Sequence, residues 1–254
     1  MKKARIAEQN AAWRQLTDGI ELPLRPLHRL HLEAIAEALL YVWQGLSETE
    51  LETIAGADEP LVNATIVNAI NRQLADEDPY LRRFAALAHR AERGVETLNY
   101  KSDRLELRPD ISVLLNARGD SFLHPLTIEC KIIAALSEKT VAKYCSKGLL
   151  RFVEGDYAWA RQEALMLAYV RDGSTIADDL TPFLKQSSSR QPDGLGTRHL
   201  PRAAGIGADQ AESTHQRSFR YPGRTAPKDD PGPIMVRHIW LQAPIAGPNA
   251  GAAQ

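Results

Sequence analysis

Cysteine is nearly absent: Cys130 and Cys145 are the two present in 254 residues. That is too few for a disulfide scaffold, and two unpaired thiols suit a reducing cytoplasm. Aromatic residues make up 6% of the chain, and no row of ring platforms for stacking single-stranded bases can be located. No apolar run approaches the roughly 18 residues that mark a membrane span, and no apolar signal core opens the sequence, so the expectation is a cytoplasmic protein with no membrane association. The formal net charge is -1, which excludes a globally basic nucleic-acid binder and leaves room only for a local basic surface. Internal repeats are also missing. What remains is ordinary for a globular chain: 44% hydrophobic and 25% charged residues, long enough for one sizeable core or a core with an appendage.

The most informative stretch runs from Arg108-Pro109-Asp110 through Ile111 to Leu115, across Asn116 to His124, and on through Leu126 to Ile133. Two β-branched-rich runs of strand length flank a segment holding Asn116, Gly119, Asp120 and Ser121, which predicts a hairpin with a longer loop. A turn centred near Gly119 and Asp120 places Asp110 opposite Cys130, with Glu129 and Lys131 as diagonal neighbours. Strand alternation sends Ile128, Cys130 and Ile132 to a core face and Thr127, Glu129 and Lys131 to the other. Two carboxylates side by side repel unless a cation lies between them, and hard oxygen ligands suit a magnesium ion that keeps several waters. Lys131 is then placed to hold or deprotonate a water and to stabilise charge on a phosphate. The plainer alternative is a surface hairpin carrying a salt bridge between Lys131 and a carboxylate.

Pro109-Asp110, a gap of eighteen residues, then Glu129-Cys130-Lys131 at the end of an apolar strand resembles the PD-(D/E)xK nuclease superfamily. The resemblance implies a restriction-endonuclease-like fold in which Asp110 and Glu129 bind Mg2+, with Mn2+ able to substitute, and Lys131 assists the water. It also implies an upstream helix that supplies a further Glu to the metal. Glu59, opening an apolar-striped helix from Glu59 to Leu74 with Pro60 in its first turn, is the candidate, and Glu96 is its rival. An acidic residue at a helix N-terminus is equally accounted for by the macrodipole.

Upstream, Ala11 to Leu16 and His28 to Trp43 read as helices, separated by Pro23 and Pro26, with Leu32, Ile35, Ala36, Leu39, Leu40 and Trp43 forming one stripe. His28, His31 and Glu33 lie close in sequence but lack a third histidine at ligand spacing, so they read as solvated. Phe84 to Arg93 reads as a helix and Arg104 to Leu107 as a strand entering the hairpin. Downstream, Ser137 to Val153 reads as one helix on which Lys139, Lys143, Lys147 and Arg151 recur every fourth residue, a basic stripe able to meet phosphates. Gly148 within it costs about 1 kcal/mol relative to Ala and points to close packing or a kink. Tyr144 and Tyr157 read as core aromatics, and Tyr157 to Tyr169 as a further apolar helix.

From Ser187 to Pro233 small and polar residues dominate, which predicts a flexible segment. From Gln186 to Gln254, eight Lys and Arg stand against five Asp and Glu, a mild basic excess. Ser213 to Arg217 within it reads as a loop, with a phosphate contact as the sharper alternative. Pro233 to Leu241 reads as a late strand, and the tail as disordered.

The expected architecture is α/β: a mixed sheet flanked by helices, with an N-terminal helical extension over 1–57, a nuclease-like core over 58–185, a flexible segment over 186–232, a strand over 233–242 and a tail over 243–254. The expected function is metal-dependent phosphodiester hydrolysis in nucleic acid, DNA ahead of RNA, in restriction or phage defence. A homodimer or a defence-system partner protein is compatible with it. The alternative is a noncatalytic binding or assembly subunit that keeps the fold.

Overall fold

The computed structural model describes residues 13, 17–97, 99–101, 106–116, 124–190, 192–205 and 209–244. The Ala11 to Leu16 helix, the tip of the hairpin, the first half of the Arg104 to Leu107 strand and nearly all of the tail therefore lie outside the described residues, although Trp13 is described and Leu107 forms a single antiparallel bridge with Thr97.

The described chain opens with α1 (Arg29–Thr49), α2 (Leu51–Gly56) and α3 (Glu59–Ala75). His28 is exposed and caps α1, its Nδ1 accepting from the Leu30 amide, so its role here is local. Asp58 caps α3 in the same way, with Pro60 in the first turn where its missing N–H costs nothing. Then come α4 (Arg82–Leu87), β1 (Ala88–Arg93), β2 (Ile111–Leu115), β3 (Leu126–Ile133), α5 (Val141–Tyr144), a π-helical turn (Cys145–Leu149), α6 (Leu150–Glu154) and β4 (Glu163–Val170). The chain continues through a second π-helical turn (Ile176–Leu180), α7 (Thr181–Ser188), β5 (Thr197–Ala203), β6 (Asp209–Gln216) and β7 (Pro233–Gln242).

The seven strands form one mixed sheet in the order β1-β2-β3-β4-β7-β6-β5, parallel across β3, β4 and β7 and antiparallel elsewhere. The α/β class with helices on the sheet and an N-terminal helical segment is thus observed. On one face, Leu32, Ile35, Leu39 and Trp43 of α1 and Val62, Ile66 and Ile70 of α3 pack with Ile111, Val113, Ile128, Cys130 and Ile132. Trp43 stacks on Tyr169 at 5.5 Å and donates its indole N–H to the Gln242 carbonyl, tying α1 to the central strands. The helices of residues 29–56 therefore share a core with the sheet. The opposite face buries Tyr144, Leu149, Phe152, Met166, Ile176, Leu184, Val236 and Trp240.

Several expectations are overturned. Residues 163–170 are a strand buried on both faces rather than the end of a helix. A continuous apolar run suits either state, and the parallel neighbours β3 and β7 decide for the strand. The helix at Phe84 stops at Leu87, and residues 88–93 become β1 because Ala88 and Ala91 turn inward while β2 offers a pairing edge. Residues 186–232, expected to be flexible, hold β5 and β6. β6 alternates Ala211, Ser213 and His215 inward, so small and polar side chains occupy positions that large apolar ones usually fill. Ser213 to His215 accordingly belong to a strand, and Arg217 is buried just after it. The late strand over 233–242 lies inside the sheet, between β4 and β6.

Among the described residues no helix is long and apolar enough to cross a membrane.

Candidate active site

The site grows from a place where one strand outlasts its neighbour. β2 pairs with β3 through Ile111–Ile128, Ser112–Thr127 and Val113–Leu126. This is one residue away from the register expected from the turn position, and the hydrophobic pattern explains it. The observed register sets apolar residues opposite apolar ones, whereas a slip of one would set Ile111 opposite Glu129. Pro109, which has no N–H to give a ladder, precedes the start of β2. Beyond Ile128 the edge of β3 facing β2 is therefore open, and side-chain carboxylates satisfy its backbone donors. The Cys130 amide donates to Asp110 Oδ2 at 2.8 Å, and the Ile132 amide donates to Glu59 Oε2 at 3.3 Å.

Lys131 lies at the centre of these groups. Its ammonium is 3.0 Å from Glu59 Oε1, 3.0 Å from Glu129 Oε1 and 3.5 Å from Asp110 Oδ2, and it donates to the Cys130 carbonyl at 2.5 Å. The structure thus brings together Asp110, Glu129, Lys131 and Glu59. Glu96 is elsewhere, exposed and paired with Arg108 at 2.5 Å.

Burial sets the electrostatics. The Glu129 side chain is 3% exposed, and its Oε2 is enclosed without a hydrogen-bond partner. Loss of water, and then the nearby Asp110 carboxylate, push its pKa up to about 8 against the pull of Lys131 and Arg151. Burial also raises Glu59, with Lys131 opposing. Burial disfavours the charge on Lys131, but Glu129, Asp110 and Glu59 outweigh it and hold the ammonium above the ordinary lysine range. Cys130 lies behind the cluster, fully buried.

The helical segment over the site packs closely on Met166 of β4, beside Glu129 of β3, because Gly148 has no side chain. A Cβ at that position would meet Met166 Cε at 2.5 Å and Glu129 Cγ at 3.5 Å. Of the two roles that the sequence suggests for this glycine, close packing is the one observed. The basic stripe is not preserved. Lys139 precedes the helix and bridges Ala134 through its backbone, and the π-helical turn breaks the four-residue repeat. Lys143, 3.6 Å from Glu138, and Lys147 remain exposed on the helical segment. Arg151 turns to the site: its Nε is 3.6 Å from Glu129 Oε1 and donates to the Lys147 carbonyl, while Nη1 donates to the Tyr157 hydroxyl at 2.5 Å. Tyr157 in turn donates to the Arg108 carbonyl at 3.0 Å, joining this segment to the residues before Asp110. That bridge was missed from sequence, since Tyr157 resembles any core tyrosine until the partner of its hydroxyl is known.

No family model, curated protein or solved structure matches this chain. The chemistry of the cluster therefore has to stand alone. Glu59, Asp110, Glu129 and the Cys130 carbonyl are hard oxygen donors of the kind magnesium takes. Of the two Glu129 oxygens, Oε1 faces Lys131 and Oε2 is buried without a hydrogen-bond partner. Among the described residues no group of three or more acidic, histidine or cysteine side chains has the spacing of a metal cage. In this arrangement the Lys131 ammonium is the cation that the oxygens share, so a metal would have to displace it.

Proposed function

We propose that this chain is a metal-dependent phosphodiesterase acting on nucleic acid, DNA ahead of RNA. One observation carries the reading: the carboxyl groups of Glu59 in α3, Asp110 just before β2 and Glu129 in β3 converge on one mostly buried lysine, and one of their oxygens is enclosed with no partner. Leaving a buried acceptor unsatisfied costs about 1–3 kcal/mol, a cost that a bound cation would relieve. Asp110, Glu129 and Glu59 would hold a magnesium ion, which when bound supplies Lewis-acid stabilisation and a more acidic water. Lys131, displaced from the carboxylates, is placed to orient that water and to stabilise charge on a phosphate oxygen. Arg151, half-buried beside Glu129, adds a second positive group on the same side. The resemblance of Pro109-Asp110 and Glu129-Cys130-Lys131 to the PD-(D/E)xK nucleases supports the same reading, and a role in restriction or phage defence rests on that resemblance alone.

The internal neutralisation of the carboxylates by Lys131 favours a second reading, a noncatalytic binding or assembly subunit in which the cluster is a structural ion pair. Purified protein and a Lys131→Ala variant, incubated with plasmid, linear duplex, single-stranded DNA and RNA in magnesium, manganese or chelator, separate the two. Metal-dependent cleavage lost in the variant supports the enzyme. No cleavage by either protein, together with a magnesium titration that is the same for wild type and Asp110→Ala, overturns it.

A further inference from the structure

Behind the helical segment that carries Gly148 and Arg151 lies a buried polar chain that the cluster does not use. Tyr144, His238, Ser213 and His215 are each 1% exposed or less. The Tyr144 hydroxyl is 2.8 Å from His238 Nδ1, Ser213 Oγ is 2.7 Å from both His238 Nε2 and His215 Nε2, and His215 Nδ1 is 2.9 Å from the Leu195 carbonyl.

Counting donors settles every proton. The Leu195 carbonyl can only accept, so His215 carries its proton on Nδ1, and its Nε2 accepts. Ser213 has one hydrogen and must give it to His215 Nε2. Its oxygen then accepts from His238, which carries its proton on Nε2. His238 Nδ1 is left to accept from Tyr144. With neutral rings no other arrangement satisfies all four contacts, because a proton on His238 Nδ1 would require Ser213 to donate twice. Burial keeps both rings neutral, lowering His238 to about 3 and His215 to about 4.

We infer that Tyr144 is a positioning residue: through this one-directional chain it pins α5 to β7 and β6, and so sets the height of Gly148 and Arg151 above Glu129. The geometry runs across the sheet. Tyr144 is fastened to β7, Gly148 rests on Met166 of β4 and Glu129 of β3, and Arg151 reaches Glu129 and, through Tyr157, the residues before β2. The consequence for hydrolysis rests on the reading above, whereas the pinning itself does not.

Nuclear magnetic resonance of 15N-labelled protein tests it without any activity. Long-range ring correlations in the wild type are expected to show an Nε2–H tautomer for His238 and an Nδ1–H tautomer for His215; the reverse at either ring overturns the chain. Tyr144→Phe keeps the ring and removes the donor. It is expected to shift the Arg151 Nε–H resonance and the backbone resonances of residues 145–151, and an unchanged Arg151 resonance overturns the positioning role. If Tyr144→Phe does not fold, Ser213→Ala and Ser213→Thr replace it. The Ala variant is expected to shift the Arg151 resonance and the Thr variant to restore it, and equal spectra for the two overturn the proposal. If the hydrolase reading alone is wrong, cleavage is absent while these shifts persist.

Discussion

Glu59 and Lys131, 72 residues apart in the chain, meet at 3.0 Å where β3 runs past the end of β2. The same Glu59 takes the Ile132 amide on its other oxygen, so one side chain caps an open strand edge and balances the central cation. Removing that cation leaves the carboxyl groups of Glu59, Asp110 and Glu129 facing one another without the ammonium between them. Lys131→Met is expected to lower stability by about 3 kcal/mol in chelator, the scale for breaking a largely buried pair. Magnesium is expected to raise the melting temperature of the variant more than that of the wild type. Thermal melts with and without magnesium check this, and a variant indifferent to magnesium would remove the metal from the proposal.

The raised Glu129 carboxyl has a pH signature. Its folded value of about 8 lies above its ordinary value of 4.5, so between these the folded state holds a proton that the unfolded state has released. Stability from this group is therefore complete below about pH 4.5, falls as pH rises to about 8 and is level beyond. Urea unfolding from pH 5 to pH 9 is expected to show wild type losing a few kcal/mol relative to Glu129→Gln, whose neutral amide does not titrate. Parallel profiles for the two proteins would place the proton elsewhere.

Gly148→Ala sets helix propensity against packing. The added methyl gains up to about 1 kcal/mol of helix preference, but it must displace the buried Met166 side chain, 2.5 Å from its Cε. Overpacking of this kind costs about 1–3 kcal/mol, so the variant is expected to be destabilised on balance. Pairing it with Met166→Ala in a double-mutant cycle is expected to give a favourable coupling. Additive losses would mean that the helix shifts freely.

Only part of the predicted basic stripe faces solvent. Lys143 and Lys147 are exposed, and each phosphate contact contributes about 0.9 to the salt slope on duplex DNA. Under the nuclease reading, Lys143→Gln with Lys147→Gln is expected to weaken binding to unrelated duplexes alike and to flatten the slope by up to about 2. Titrations across ionic strength measure this, and an unaltered slope would move the interface to another face.

Aspartate, glutamate and lysine at their spacing, with strand alternation, were enough to bring Asp110, Glu129 and Lys131 together; Glu59 came only from the family resemblance, with Glu96 as its rival, and the tertiary structure chose between them. The hairpin register was legible too: matching Ile111 to Ile128 instead of counting from the turn would have found it. The α1 and α3 stripes, the Glu59 helix start and the β7 strand were carried by local periodicity and capping. The local signal ran out where partners decide. An apolar run at 163–170 becomes a strand because β3 and β7 flank it, Ala88 to Arg93 pair because β2 is there, and β6 buries Ser213 and His215 because distant Tyr144 and His238 complete their hydrogen bonds. Residue types and their periods determined which side chains belong together. Tertiary structure alone decided which of them are enclosed, that Arg151 leaves the basic stripe for Glu129, and that one Glu129 oxygen is left without a partner. Burial and hydrogen-bond closure depend on neighbours far apart in the chain.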